Sequence, residues 1–316
     1  MNTETNVVSE PFDSQGLAPA AISPARRVYW SVRRELWENR YLYLVPLGVA
    51  ALLLVAFLFG QMALPHHRMR TVLALEPAKQ RAEIEMPYQM VEGLILGAAF
   101  FTGLFYCLEA LYGERRDRSI LFWKSLPVSD LTAVLAKASI PLGLLFFSFV
   151  ITIVTQLSML LLSTLVVWGS GLSTAQLWTQ VPLLQWWLEL GYHLLTVHAL
   201  WYAPIYGWLL LISAWARRMP LLWAVLPPVA IGFVEKMAFN TSHFANWLWY
   251  RVNGPDPFHF SGSDSLSATA GGISMTGMTP LDLGKFFSTP GLWTGLVLAA
   301  AFLYAAARLR RYRGPI

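Results

Sequence analysis

Charge is what this chain has least of. Asp, Glu, Lys and Arg make up 13% of its 316 residues, against about 25% in a soluble globular domain. With 56% hydrophobic residues beside that deficit, an ordinary water-soluble fold is excluded. Cysteine is scarcer still. The single one, Cys107, sits in an apolar run, so no intrachain disulfide forms and cysteine pairing says nothing of compartment. The first 25 residues hold Ser, Pro, Ala and acids without an apolar centre, and do not read as a signal peptide. The expectation for 1–24 is a disordered cytoplasmic tail, with the first span an uncleaved anchor.

Catalytic motifs are missing as well. A phosphate loop needs Gly-x-x-x-x-Gly-Lys-Ser/Thr, so that backbone amides cradle phosphate and a hydroxyl holds magnesium. The one Gly-Lys pair, Gly284-Lys285, is followed by Phe286 and has Thr279 where the first Gly belongs. There is no His-Glu-x-x-His, no Gly-x-Ser-x-Gly, and no cysteine beside a histidine. An intramembrane enzyme would therefore have to assemble its site from distant residues. His66-His67 has no acidic neighbour at ligand spacing, so a metal there is not expected.

What the chain has is apolar length. About 20 apolar residues cross the hydrocarbon of a bilayer, and six stretches qualify: 41–63, 91–112, 139–168, 183–215, 221–238 and 290–307. The third and fourth are long enough to tilt or project. The fifth contains Pro227-Pro228 and runs into Glu235-Lys236. The expected fold is an all-α integral membrane protein, a six-span domain over 41–316. With the N-terminus inside, 16 of the 23 Lys and Arg flank the cytoplasmic ends of these spans and 7 lie outside, which fixes that orientation. These charges flank spans rather than form one patch, so nucleic acid is not an expected partner. The 14 Trp and 12 Tyr suit two lipid–water interfaces.

Before the first span, 25–40 reads as an amphipathic interfacial helix, with Val28, Val32 and Leu36 at i+4 spacing and arginines on the opposite arc. A plain extension of the first span is the alternative. Beyond the membrane, 64–90 is polar, and 240–289 starts with the aromatic run 244–250, too short to span. That run is placed either dipping into the outer interface or re-entering. From 261 to 277 the loop turns Gly/Ser/Thr-rich.

The most informative loop is 113–130. Glu114, Arg115, Arg116, Asp117 and Arg118 crowd its first turns, and Ile120, Leu121, Phe122, Trp123 and Lys124 follow. Pro127 stops the short helix and Ser129 caps the next. Four consecutive apolar residues at a membrane surface point to a contact rather than to a solvated connector.

The segment 114–130, ERRDRSILFWKSLPVSD, resembles the cytoplasmic loop of bacterial ATP-binding-cassette permeases of the type-2 exporter family. The segment 200–220, LWYAPIYGWLLLISAWARRMP, resembles them too. The resemblance implies six spans behind an amphipathic connecting helix, in a bacterial inner membrane with both termini cytoplasmic. It makes 114–124 a coupling helix that docks a separate ATPase subunit, which would carry ATP and Mg; no cofactor is expected on this chain. A second permease, identical or paralogous, and membrane lipids complete the expected partners. The Gly/Ser-rich stretch after the fifth span departs from the family, whose better-known members carry apolar re-entrant helices there.

Within the spans, ionisable residues are costly and mark function. Glu189, His193 and His198 lie on the fourth span, with Glu189 and His193 four apart on one face. That face is the candidate translocation path; interfacial hydration with local packing is the alternative. Glu109 pairs with Arg115 or Arg116, or is simply hydrated. Gly93 and Gly97, and Gly291 and Gly295, have the spacing for close helix approach. A transport subunit with an external motor is the leading reading. A non-transporting membrane partner or sensor, sharing the topology and the loop, is the other.

Overall fold

The computed structural model describes residues 23–63, 77–125, 128–169, 178, 181–253 and 283–316. Most of the expected tail, His66-His67 and the Gly/Ser-rich stretch lie outside the described residues.

The chain opens with α1 (Pro24–Glu38). Ser23 accepts the Arg26 amide at 3.4 Å and Pro24 takes the first helical position, both normal helix starts. Then come α2 (Tyr41–Ala63) and α3 (Pro77–Arg116), a five-residue α4 (Ile120–Lys124), and α5 (Asp130–Gly169). At 40 residues each, α3 and α5 run about 60 Å, twice the hydrocarbon thickness. Their ends therefore extend beyond the expected spans. Residues 77–90, expected as loop, are the first turns of α3, and α5 begins at Asp130 rather than 139. Hydropathy detects the part of a helix that needs lipid, and is blind to turns outside it.

The fourth apolar stretch is not one straight helix. It divides into α6 (Leu183–His193), a π-helical stretch (Leu194–Trp201) and α7 (Ala203–Trp215), with a 47° bend between the parts. Pro204, in the first turn of α7, has no amide to continue the ladder, and Tyr202 donates instead to Val197 O at 3.1 Å. The chain continues through α8 (Pro220–Phe239), α9 (His243–Asn253), α10 (Leu283–Ser288) and α11 (Pro290–Tyr312). Pro227 and Pro228 are accommodated inside α8 without breaking it. Among the described residues there is no strand. Five helices are long and apolar enough to cross a membrane, and the bent pair makes up to six. This is an all-α, multi-pass membrane protein.

α3 and α5 form the middle of the bundle, with α7 and α11 packed beside them and α2 against both. α7 and α11 approach closely: a Cβ on Gly207 would sit 3.3 Å from Ala299 O and 3.4 Å from its Cα. α8 is peripheral, with Ala224 its buried residue, and hangs on α7 by Trp208 Nε1 donating to Ala224 O at 3.0 Å. A left-handed Asn240 (φ 50°) turns the chain back into α9. Glu235 closes that turn by accepting the amides of His243 and Phe244 at 2.7 and 2.9 Å. The aromatic run 244–250 thus belongs to a helix folded back along α8.

Arg251 of α9 explains the glycine pair of α11. Only 3% exposed, it donates to Trp201 O at 3.2 Å and Gly291 O at 2.6 Å, with its guanidinium 4.4 Å from the Trp201 ring centre. A Cβ on Gly295 would lie 2.6 Å from Arg251 Cζ, and one on Gly291 3.4 Å from the Trp201 and Tyr250 rings. The small residues admit an arginine and two aromatic rings rather than a neighbouring helix. Gly97, by contrast, faces open space. Gly295→Ala and Arg251→Met should each lower the unfolding midpoint in detergent, at a cost of about 1–3 kcal/mol. The double variant should cost less than their sum, because both lose one contact; strict additivity would remove the assignment.

Candidate functional site

One end of the bundle gathers α1, the C-terminal ends of α3, α7 and α11, the start of α5, and α4. There the structure buries a charge cluster. Lys137 Nζ donates to Glu35 Oε1 at 2.8 Å and lies 3.2 Å from Glu114 Oε1. Arg34 pairs with Glu35 and reaches Glu114 Oε1 at 3.3 Å. Arg310 bridges Glu114 Oε2 at 3.2 Å and Asp130 Oδ1 at 2.5 Å. The Tyr106 hydroxyl donates to Glu35 Oε2 at 2.8 Å. Glu35, Lys137 and Arg310 are 2–4% exposed and Glu114 is 8%. Three cations meet three carboxylates, with the exposed Glu38 3.6 Å from Arg34 at the solvent edge, so the buried group is neutral, the condition under which such burial is sustainable. Burial opposes ionisation of Glu35, but Lys137 and Arg34 outweigh it and hold the carboxyl below its usual range. Burial also opposes the charge on Arg34, and Glu35, Glu38 and Glu114 outweigh it in turn.

Sequence reasoning selected only Glu114 of this group. Arg34, Lys137 and Arg310 read in the sequence only as basic residues flanking spans, and Glu35, Tyr106 and Asp130 carry no site signal there. The inward side of α1 is the reason: Val32 packs on the core, but the residue it buries most is Glu35, while Val28 and Leu36 stay 40% and 39% exposed. A lone lysine in the apolar sequence around 137 was the available signal.

Above the cluster, α3 turns at Arg118, whose φ of 58° is left-handed, and α4 follows. The ten loop residues separate into distinct roles. Glu114, Arg115 and Ile120 point inward and are buried. Arg115 Nη1 donates to Ala214 O and Ala216 O at 2.7 and 3.1 Å, satisfying carbonyls that the end of α7 leaves unpaired. Lys124 Nζ does the same for Arg311 O and Arg313 O at 3.3 and 3.4 Å. Trp123 lies under the Arg34 guanidinium, 3.7 Å from carbon to ring centre, and so joins α4 to α1. Arg116 pairs with Glu109 at 2.9 Å. Arg116, Asp117, Arg118, Leu121 and Phe122 remain exposed, Leu121 and Phe122 at 60% and 61%.

The fourth-span residues sit apart from that cluster. Glu189 is partly exposed and accepts from Gln185 Nε2 at 2.8 Å. His193 is buried, and its ring centre lies 6.2 Å from that of His198. A further acid lies inside the bundle: Glu92 of α3, 9% exposed, with Gln156 Nε2 at 3.4 Å. Gln156 is held by Tyr88 O at 3.1 Å and by Trp187 Nε1 at 2.7 Å. Among the described residues, no group of three or more His, Cys, Asp or Glu is placed to hold a metal ion. The charge cluster pairs each of its acids with a lysine or an arginine. These pairs join α1, α3, α5 and α11.

Lys137→Met should destabilise the folded chain by about 3–5 kcal/mol, since it removes one of three cations and leaves the buried carboxylates one charge out of balance. Arg116→Ala, at an exposed pair, should cost little. Adding Glu35→Gln to Lys137→Met should recover part of the loss; no recovery would refute the cluster. Because the folded Glu35 carboxyl titrates below the unfolded one, its stabilisation holds above the usual carboxylate range. It disappears as pH falls through the folded value. Thermal midpoints of wild type should therefore drop on acidification, and those of the double variant less. In comparisons with models of protein families, with curated proteins and with solved structures, the chain matches none.

Proposed function

We propose that the chain is the membrane-spanning permease subunit of an ATP-binding-cassette exporter, driven by a separate ATPase subunit that binds α4. The basic end faces the cytoplasm of a bacterium, both termini lie there, and α1 rests at the inner-membrane interface. ATP and magnesium belong to the ATPase chain. A second permease copy or paralogue completes the path, and lipid covers the rest.

The observation that carries this reading is the tip of α4. Leu121 and Phe122 are presented to solvent on a five-residue helix, where two large apolar side chains gain nothing unless something covers them. The mounting beneath them is rigid. Trp123 under Arg34 ties α4 to α1, Glu114 with Arg310 ties the end of α3 to α11, and Arg115 ties it to α7. A push on the tip is thus delivered to four helices at once. ATP-driven closure of the motor would tilt these helices together, and export follows if the path binds substrate with different affinity before and after.

The test separates tip from mounting. Tagged chain purified from its native membrane should bring Mg-dependent ATPase activity with it. Leu121→Asp with Phe122→Asp should abolish that activity in the preparation while the unfolding midpoint stays at the wild-type value, because neither side chain is part of the core. An ATPase that stays bound to the variant, or wild-type chain that recovers none, overturns the reading. A chain that binds an ATPase yet moves nothing in vesicles would be the non-transporting partner instead.

A further inference from the structure

The π-helical stretch of span four faces α3 at a level where the bundle is aromatic but incompletely hydrogen-bonded. The Phe100 ring centre lies 6.0, 5.4 and 6.2 Å from those of His198, Tyr202 and Tyr206, and His198 is 5.3 Å from Tyr202. Tyr206 is 4% exposed, yet among the described residues neither its hydroxyl nor His198 Nδ1 has a hydrogen-bond partner. A buried donor or acceptor left unmade costs more than a made one gains, so such atoms call for an explanation. Two of them beside one phenylalanine, next to a π-helix of the kind found at functional positions, ask for a ligand.

We infer that His198 and Tyr206, with the rings of Phe100 and Tyr202, form an intramembrane site for the uncharged, hydroxyl- or amide-bearing head of an amphiphile. This rests on the reading of span four as part of the path, and names the class of substrate that it selects. His198 and Tyr206 supply hydrogen bonds, and the rings supply apolar walls for the first carbons of the chain. Charge decides the class. Among the described residues, no ion pair involves any of the four. The nearest acid on α3, Glu92, is eight residues from Phe100, about 12 Å along the helix. An ammonium head would be desolvated there without a counter-charge, and a carboxylate or phosphate would meet no fixed cation, only the imidazoles of His198 and His193, 6.2 Å apart. A neutral head exchanges its water for two fixed partners.

The experiment uses one alkyl chain with three heads. Full-length chain in nanodiscs is irradiated with a diazirine-bearing hexadecanol, against competition by hexadecanol, hexadecylamine or hexadecanoate. Label should fall on peptides around Phe100 and His198. Hexadecanol should displace it, and the amine and the acid should not at equal concentration. Tyr206→Phe and His198→Phe should each cut labelling about fivefold, the loss of one neutral hydrogen bond. Tyr206→Phe should not lower the unfolding midpoint, since the hydroxyl removed has no protein partner. Labelling unchanged in both variants, equal competition by charged heads, or a lowered midpoint for Tyr206→Phe overturns the inference. No ATPase is present in this assay, so a failure of α4 to bind one leaves its outcome untouched.

Discussion

The structure depends on keeping six charges neutral together at one end of an apolar bundle. Glu114 stands at the centre of that balance: Lys137 and Arg34 approach one of its oxygens and Arg310 the other. Each cation comes from a different helix, α5, α1 and α11. The cost of exposing any single charge to a low-dielectric interior then acts as a restraint on all these helices together. Apolar packing alone would let membrane helices slide, because lipid chains are as apolar as leucine. The ionic cluster gives this end a defined geometry.

Basic residues do a second job around it. Arg115 and Lys124 donate to backbone carbonyls where α7 and α11 end, and Arg313 does so for Trp215 O at 2.5 Å. At the other end Arg251 donates to Trp201 O, where the π-helical stretch gives way to α7. A cation at a helix C-terminus meets both the unpaired carbonyls and the negative end of the dipole. Basic residues that flank the spans thus also finish helices.

Between these two fastened ends the fourth span is irregular. Its backbone changes from α to π and back with a 47° bend, and among the described residues the Tyr206 hydroxyl and His198 Nδ1 have no hydrogen-bond partner. Ends tied by ion pairs around a bent, π-helical middle suit the proposed function, in which movement enters at α4 and is felt where substrate binds.

The sequence by itself determined the class of protein and its spans, because crossing a bilayer imposes a length and composition that no neighbour can supply. It also marked the loop 113–130, where apolar residues sit beside charges without an evident reason. Tertiary structure decided which members of that loop stay outside. Arg115 and Arg116 are adjacent and chemically identical, yet one caps α7 and the other reaches Glu109 at the surface. Only folding brings Glu35, Lys137 and Arg310 together across more than 270 positions of chain, since an ion pair leaves no periodicity to read. The glycines of α11 make the same point. Their spacing allowed a close approach, but whether a helix or the guanidinium of Arg251 would fill the gap depended on where α9 came to rest.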